Sequence, residues 1–200
     1  MYHNVVYISP KYEPSDYLVL DLNTESNEQE WNKAIEIYKD RMENRFLLII
    51  QDMLGNLRDN IRVIDYSFSI MALNCLLVET LRQFYLGNDV TIGNNEREFK
   101  KFFRNSDIFR NKFTSKQASI FYKHVRCGIL HQAQTQSYTQ LTVGQDEMVI
   151  NINDSCIRLD VEKFTDSLIF EYESYLLKLT DKSNVEYREN FIKKMEYICR

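Results

Sequence analysis

The sequence predicts a mainly α-helical protein, a helical bundle with a small antiparallel β hairpin or meander at about residues 138–159. Apolar residues recur every three or four positions from Trp31 to Met53, which is the stripe of an amphipathic helix. The run from Ile70 to Val78 is apolar nearly all round, as in a helix at the centre of a core. Within 138–159, apolar and polar residues alternate with the period of half-buried strands.

The first elements along the chain are an arm and a long helix. Residues 1–26 contain both prolines and two short apolar stretches between polar clusters, so an extended arm or short strands are expected there. Ser26 and Gln29 have the spacing of a capping box, which places the start of the first helix, about 27–54, just after them. Gly55 is expected to end this helix, because glycine is common just past a helix C-terminus.

Five more helices and the β element complete the predicted domain. Periodicity and cap residues predict helices at about 66–86, 96–104, 114–136 and 161–179, and a last one from the Ser183/Glu186 capping box to near Cys199. Gly87 is expected to end the first of these, and Asp160 to cap the fourth. Residues 27–200 are expected to fold as one domain.

The composition is typical of a folded protein without a membrane segment or disulfides. Of the 200 residues, 44% are hydrophobic and 27% are charged. The N-terminus lacks the basic start and apolar stretch of a signal peptide, and no apolar run approaches the length of a membrane span, so a cytoplasmic protein is expected. The four cysteines include no C-x-x-C pair, which argues against a zinc site, and no cofactor is expected.

Basic residues concentrate in one segment of a chain whose net charge is −4. Residues 96–126 hold nine basic and three acidic residues, so this segment has a charge of +6 and the rest of the chain −10. Such a segment either binds a polyanion such as RNA or forms a solvated helix surface, and the sequence leaves both open. The RNA-binding interpretation assigns contacts to Lys100, Lys101, Arg104 and Lys116.

Arg126 and His131 are the strongest candidates for catalysis. Arginine binds phosphate through a fixed fork of donors, and histidine exchanges a proton near neutral pH. On an ideal α-helix, five positions rotate by about 140° and rise by about 7.5 Å, so the two side chains lie on different faces. Either the arginine folds round the helix, or a second copy of the chain completes the site in a symmetric dimer. Gly128 fits the dimer, since a helical glycine, at a cost of about 1 kcal/mol relative to alanine, lets another backbone approach.

Three further residues, His124, Lys123 and Glu79, are candidates for supporting this pair. His124 lies about 10.5 Å along the helix from His131, too far for both to bind one metal ion. No acidic cluster lies nearby in the sequence to hold magnesium, so a metal-independent reaction is favoured. Glu79 belongs to the apolar core helix, where it either faces water or needs a cationic partner such as Arg126.

The segment Phe121–Ala133 resembles the R-x4-H signature of the HEPN superfamily of helical domains, with Arg126 and His131 as the signature residues. The apolar helix from Ser69 to Gly87 looks like the central helix of that superfamily. The strands after the motif look like those of a subgroup with a β-insert. The resemblance covers about residues 27–180.

Two positions differ from the pattern of this superfamily. Cys127 stands where many active members have a polar residue directly after the arginine. Ala133 stands where toxins modified by a nucleotidyltransferase partner have a tyrosine, so that mode of control is not expected.

The resemblance implies a homodimer whose motif helices meet and form a metal-independent endoribonuclease site, in defence, toxin–antitoxin or stress systems. The ribose 2′-hydroxyl would attack the adjacent phosphorus, with His131 as general acid or base and Arg126 holding the phosphate. The expected partners are RNA, a second copy of the chain, and a protein antitoxin or regulator. No membrane partner is expected.

Two alternatives to the nuclease stay open. In the first, the chain is a non-catalytic, HEPN-like module that binds RNA through its basic segment or a protein partner through its helices. In the second, it is a structural helical dimer in which Arg126 pairs with Glu79 and His131 is a satisfied interior residue.

Overall fold

The computed structural model describes residues 7–58, 65–89 and 95–200. Over these residues the protein is mainly helical with a small three-stranded mixed sheet, so the predicted fold class is confirmed. The helices are α1 (Pro14–Leu18), α2 (Glu28–Met42), α3 (Leu48–Arg58), α4 (Ser67–Leu86), α5 (Asn95–Asn105), α6 (Ser115–Ile120), α7 (Cys127–Gln132), α8 (Val161–Thr180) and α9 (Val185–Ile198), and the strands are β1 (Gln140–Thr142), β2 (Val149–Asn151) and β3 (Ile157–Asp160).

Two helices are continued through π-helical turns. Glu43–Leu47 joins α2 to α3, and Phe121–Arg126 joins α6 to α7. Such turns contain i→i+5 hydrogen bonds and are frequent at functional sites. Among the described helices, none is long and apolar enough to cross a membrane.

Residue contacts divide the described chain into two compact units. The first unit contains residues 7–49, 83–89 and 173–200, and the second unit contains residues 50–58, 65–82 and 95–172. The expected division into an arm at 1–26 and one domain at 27–200 stays a prediction.

An aromatic cluster forms the core of the first unit. The ring centroid of Tyr38 lies 4.6 Å from that of Phe84, 5.5 Å from that of Phe191 and 6.1 Å from that of Tyr175. All four side chains are buried. Because each such ring buries about 150–250 Å² of surface, this cluster supplies much of the apolar burial of the unit.

Phenylalanine rings form the core of the second unit around α5, α6 and α8. Phe103 stacks on Phe113 with their ring centroids 4.4 Å apart. It also meets Phe121 edge-on at 5.2 Å, and Phe121 in turn stacks on Phe164 at 5.1 Å. These contacts hold α5 against α6 and fix which side of each helix faces water.

The sheet is mixed, so the prediction of an antiparallel hairpin or meander was wrong in part. Strands β2 and β3 do form an antiparallel pair, with Val149 opposite Leu159. β1, however, pairs with β3 in parallel, with Leu141 opposite Leu159, and the strand order is β1-β3-β2. Asp160 holds the crossing loop, since its carboxylate accepts a hydrogen bond from the Gln145 backbone N–H at 2.7 Å.

The N-terminal segment contains a helix where extended structure was predicted. Pro14 occupies the first turn of α1, and Glu13 and Asp16 form a capping box there. Proline suits the first turn because the helix does not use its missing N–H, so these residues favour a helix over a strand. The first two residues of the earlier apolar stretch, residues 5–8, lie outside the described residues.

Several predicted helix ends were wrong by a few residues. The first helix is capped by Asn27 with Glu30, one residue beyond Ser26 and Gln29. It also continues past Gly55 to Arg58. The motif helix ends at Gln132 instead of residue 136, and the last helix follows Asn184 without a side-chain cap. Ser26 and Asn27 are both favourable cap residues and are adjacent in the sequence, so the pattern alone did not distinguish between them.

Two other predicted ends are confirmed. Gly87 follows α4 with φ +62°, the left-handed conformation that glycine adopts at low cost. The carboxylate of Asp160 accepts a hydrogen bond from the Lys163 backbone N–H at 2.9 Å, which caps α8.

Candidate nucleic-acid interface

Helix α5 separates an apolar side from a basic side. Phe99, Phe102 and Phe103 are buried in the phenylalanine core. The basic residues of this helix are less buried and lie at intervals of one to three positions: Arg97, Lys100, Lys101 and Arg104. Burial of the three rings therefore forces the cations toward solvent, where they can meet a ligand.

A cavity of about 600 Å³, here called the basic cavity, opens beside α5. Its size lies within the range of about 300–1,000 Å³ that is usual for ligand pockets. Five cations line it: Arg97, Lys100, Lys101, Arg104 and Arg110. Glu96 is the one acidic residue among its lining residues, so the cavity favours anions.

A second cavity of about 340 Å³, here called the His124 cleft, lies next to it along α6. Lys100 and Ser115 line both cavities, so the two adjoin at these residues. The cleft adds Lys116, Lys123 and His124. The seven cations around both cavities form one surface, called the basic face below: Arg97, Lys100, Lys101, Arg104, Arg110, Lys116 and Lys123.

Carboxylates already neutralise part of the basic face. Glu96 lies 3.8 Å from the Lys100 ammonium and 3.9 Å from that of Lys123. Asp154, from the turn between β2 and β3, lies 2.6 Å from the Lys116 ammonium, and this contact lowers the pKa of Asp154. Because surface ion pairs are weak, phosphate oxygens can replace these carboxylates at little cost.

The structure brings together the residues that the sequence assigned to RNA. Lys100, Lys101 and Arg104 line the basic cavity, while Lys116 lines the His124 cleft. Lys123 and His124, assigned to support the catalytic pair, lie in the same cleft. The sequence assignment missed two cations that line the cavities, Arg97 and Arg110, and two serines, Ser115 and Ser119, although these residues all belong to the basic segment.

Arg126 lies apart from these cations in an ion pair with Glu79. Its Nε and Nη2 atoms lie 2.7 and 2.6 Å from Glu79 Oε1, and its side chain is 14% exposed. The guanidinium also lies over the Tyr122 ring, 5.7 Å from the centroid. Burial alone would lower the pKa of Arg126, but the Glu79 carboxylate outweighs it and raises this pKa. Arg126 is therefore charged and already occupied.

His131 is exposed near the end of α7. Among the described residues none forms a hydrogen bond with its side chain, and its neighbour Leu130 is 50% exposed. The interpretation that His131 is a satisfied interior residue was therefore wrong, although the pairing of Arg126 with Glu79 that accompanied it is confirmed. Neither Arg126 nor His131 lines the basic cavity or the His124 cleft.

Gly128 is explained within one chain. A Cβ atom at this position would lie 2.5 Å from the Gln134 carbonyl oxygen and 3.3 Å from the Gln136 nitrogen. The segment after α7 folds back over the helix, and the Gln136 N–H donates to the His124 carbonyl at 2.9 Å. A backbone does approach Gly128 closely, as expected, but it belongs to the same chain, so this glycine gives no support to a dimer.

The Glu79–Arg126 pair is expected to stabilise the second unit. Glu79→Ala should lower the free energy of unfolding by about 1–3 kcal/mol, because it leaves a half-buried guanidinium without its partner. A double-mutant cycle with Arg126→Ala should give a coupling energy of about 1–2 kcal/mol in urea unfolding.

The exposed pair Lys193–Glu189, whose side chains are 59% and 53% exposed, is the matched control. Its coupling energy is expected to be below about 0.5 kcal/mol. Equal coupling energies for the two pairs would contradict a structural role for Glu79.

Within the described ranges, no group of three or more His, Cys, Asp or Glu side chains is placed to hold a metal ion. Comparison with protein-family models, with curated proteins and with solved structures gives no match for this chain.

Proposed function

We propose that this chain binds single-stranded RNA through phosphate contacts along the basic face. The main observation in support of this proposal is that seven cations surround two adjoining cavities and that Lys100 lines both. Lysine and arginine bind phosphates without reading the base, so the contact depends on charge and spacing. RNA is preferred to DNA on the resemblance of the motif segment to the HEPN superfamily.

The charge distribution supports a polyanion as the partner. The chain as a whole has a net charge of −4, so attraction to nucleic acid must come from a local surface. Positive charge is in excess at this surface, although six of its seven cations pair with one of four carboxylates: Glu96, Glu98, Asp107 and Asp154. The Asp154 side chain is fully exposed on its turn. RNA therefore meets a local excess of positive charge that includes readily exchanged pairs.

Salt dependence of RNA binding tests this function. A fluorescent uridine decamer should bind in anisotropy titrations at about 50 mM salt and weaken steeply at about 200 mM. If three to seven cations contact phosphates, the slope of log K against log salt should lie between about −2 and −5. Lack of binding at about 50 mM salt, or affinity independent of salt, would overturn the proposal.

The second candidate is the metal-independent endoribonuclease that the HEPN resemblance implies. The observation in its favour is that His131 is exposed beside the exposed Leu130, where a second chain can reach it. Arg126 is held by Glu79, and five positions of an ideal α-helix would place it about 140° round the axis from His131, so each site would need Arg126 from one chain and His131 from the other. Its biological setting would be a defence, toxin–antitoxin or stress system.

Cleavage in the presence of EDTA tests this candidate. A homodimeric protein should cut single-stranded RNA to 2′,3′-cyclic phosphate ends, and His131→Ala should reduce the rate by at least about a hundredfold. Intact RNA after incubation with wild-type protein, across substrates that it binds, would leave the binding function and reject the nuclease.

A further inference from the structure

The His124 cleft differs from the basic cavity in its chemistry. Besides lysines, it contains the hydroxyls of Ser115 and Ser119 and the one histidine that lines either cavity. Three kinds of donor thus surround one small space: ammonium, hydroxyl and imidazole. A phosphate group accepts hydrogen bonds from all three.

Contacts to both the backbone and the ring of His124 hold this residue in the cleft. It belongs to the π-helical turn Phe121–Arg126, and its carbonyl accepts a hydrogen bond from the Gln136 N–H at 2.9 Å. On the ring, Nδ1 lies 3.5 Å from the hydroxyl oxygen of Thr139, a buried residue. Nε2 is therefore the nitrogen that is left for a ligand.

The charged groups at the cleft are three lysines and two carboxylates. Lys100, Lys116 and Lys123 face Glu96 from α5 and Asp154 from the turn before β3. Burial, and then the charge of Lys123, lowers the pKa of His124 and so favours the neutral imidazole when no ligand is bound. An anion between the lysines removes part of this repulsion and favours the imidazolium.

Carboxylates occupy the positions that a phosphate would take. Glu96 accepts a hydrogen bond from the Ser119 hydroxyl at 2.9 Å and reaches Lys100 and Lys123. Asp154 accepts one from Lys116 at 2.6 Å. Because the Asp154 side chain is fully exposed and part of a turn, it can swing away into water.

We propose that the His124 cleft is the phosphate subsite of the RNA-binding surface, where Nε2 of His124, Lys116 and Lys123 contact one phosphodiester that displaces Asp154. This inference rests on the proposed RNA-binding function and assigns its histidine contact. It gives His124 the direct contact with RNA that the motif pattern had assigned to His131.

Histidine titration by NMR tests the subsite without any need for cleavage. The chain has three histidines, so His124 can be assigned by comparison with His124→Gln. On saturation with a uridine decamer, the pKa of His124 should rise from its lowered position in the free protein toward the ordinary range of histidine. The His131 ring signals should not move.

Lysine variants test whether the rise in the pKa of His124 depends on the lysines of the cleft. Lys116→Ala/Lys123→Ala should abolish the rise and weaken decamer binding about a hundredfold. Lys163→Ala/Lys193→Ala removes two exposed lysines outside the basic face and should change neither. Asp154→Asn should strengthen binding a few-fold, because it removes the carboxylate that competes with the phosphate.

Each of the other possible results rejects the subsite, the RNA-binding function or both. Decamer binding with an unchanged His124 titration rejects the subsite and leaves the RNA-binding function. Absence of decamer binding rejects both. If inorganic phosphate at the same phosphate concentration gives the same rise, the cleft is a small-anion site and not an RNA subsite.

Discussion

Replacement of both Lys100 and Lys116 by alanine is expected to weaken binding of single-stranded RNA about a hundredfold at low salt. Each lysine provides a charge-assisted phosphate contact worth about 1.5 kcal/mol, or about tenfold in affinity. Lys100 lines both cavities and Lys116 lines the cleft, so the variant removes one cation that the two cavities share and one that belongs to the cleft. The salt slope should become shallower by about 1.4, since each single-strand contact contributes about 0.7.

Anisotropy titrations at several salt concentrations measure both quantities. Lys163→Ala/Lys193→Ala, which removes the same charge from exposed positions elsewhere, should bind as tightly as the wild type and with the same slope. If both double variants lose affinity equally, net charge alone attracts RNA and the basic face has no special role.

The second large effect is expected on stability, at Gly128. Gly128→Ala should lower the free energy of unfolding by about 1–3 kcal/mol, because the added methyl group would lie 2.5 Å from the Gln134 carbonyl oxygen. Relief requires the returning loop to move away from the helix, which breaks the hydrogen bond from Gln136 to the His124 carbonyl. This loss exceeds the gain of about 1 kcal/mol in helix propensity.

Thermal and urea unfolding measure this difference, with Gly55→Ala as the control. Gly55 also lies within a helix, but a Cβ atom there has no neighbour within 4 Å. Gly55→Ala should therefore raise stability by up to about 1 kcal/mol, or a few degrees in melting temperature. A Gly128→Ala protein that is as stable as Gly55→Ala would contradict the close approach of the loop.

Local sequence signals predicted most of the helices. The apolar run in α4, with Gly87 after it, identified both the type of element and its end, because burial and the left-handed glycine act within a few residues. The basic segment similarly predicted which cations gather, since α5 and α6 are close in the chain and joined by the phenylalanine core.

Contacts between distant residues could not be predicted in the same way. The parallel pairing of β1 with β3 depends on a loop held by Asp160, whereas an alternating pattern specifies strands and not their partners. Asp154 reaches Lys116 over 38 positions in the chain, and no periodicity indicates that contact. The glycine at position 128 predicted the close approach of another backbone, but the sequence did not show that this backbone belongs to the same chain.

The surroundings of the candidate catalytic pair were likewise only partly predictable from the sequence. Glu79 was one candidate partner of Arg126 because an acidic residue on an apolar helix needs a cation, and this pairing is confirmed. The sequence treated the segment from Thr114 onward as one uniform α-helix. Its central turn, Phe121–Arg126, is π-helical, and no spacing rule for α-helices reveals such a turn.

That π turn sets the rotational phase of the motif helix. A π turn is equivalent to one residue inserted into an α-helix, so the side chains after it are turned by about 100° relative to an uninterrupted helix. Lys116 precedes this turn and His131 follows it, so their relative orientation depends on a single extra residue. Deletion of one residue within Phe121–Arg126 would rotate all of α7 as a block and change which of its side chains face solvent. One codon thus separates two orientations of α7 about the axis of the motif helix.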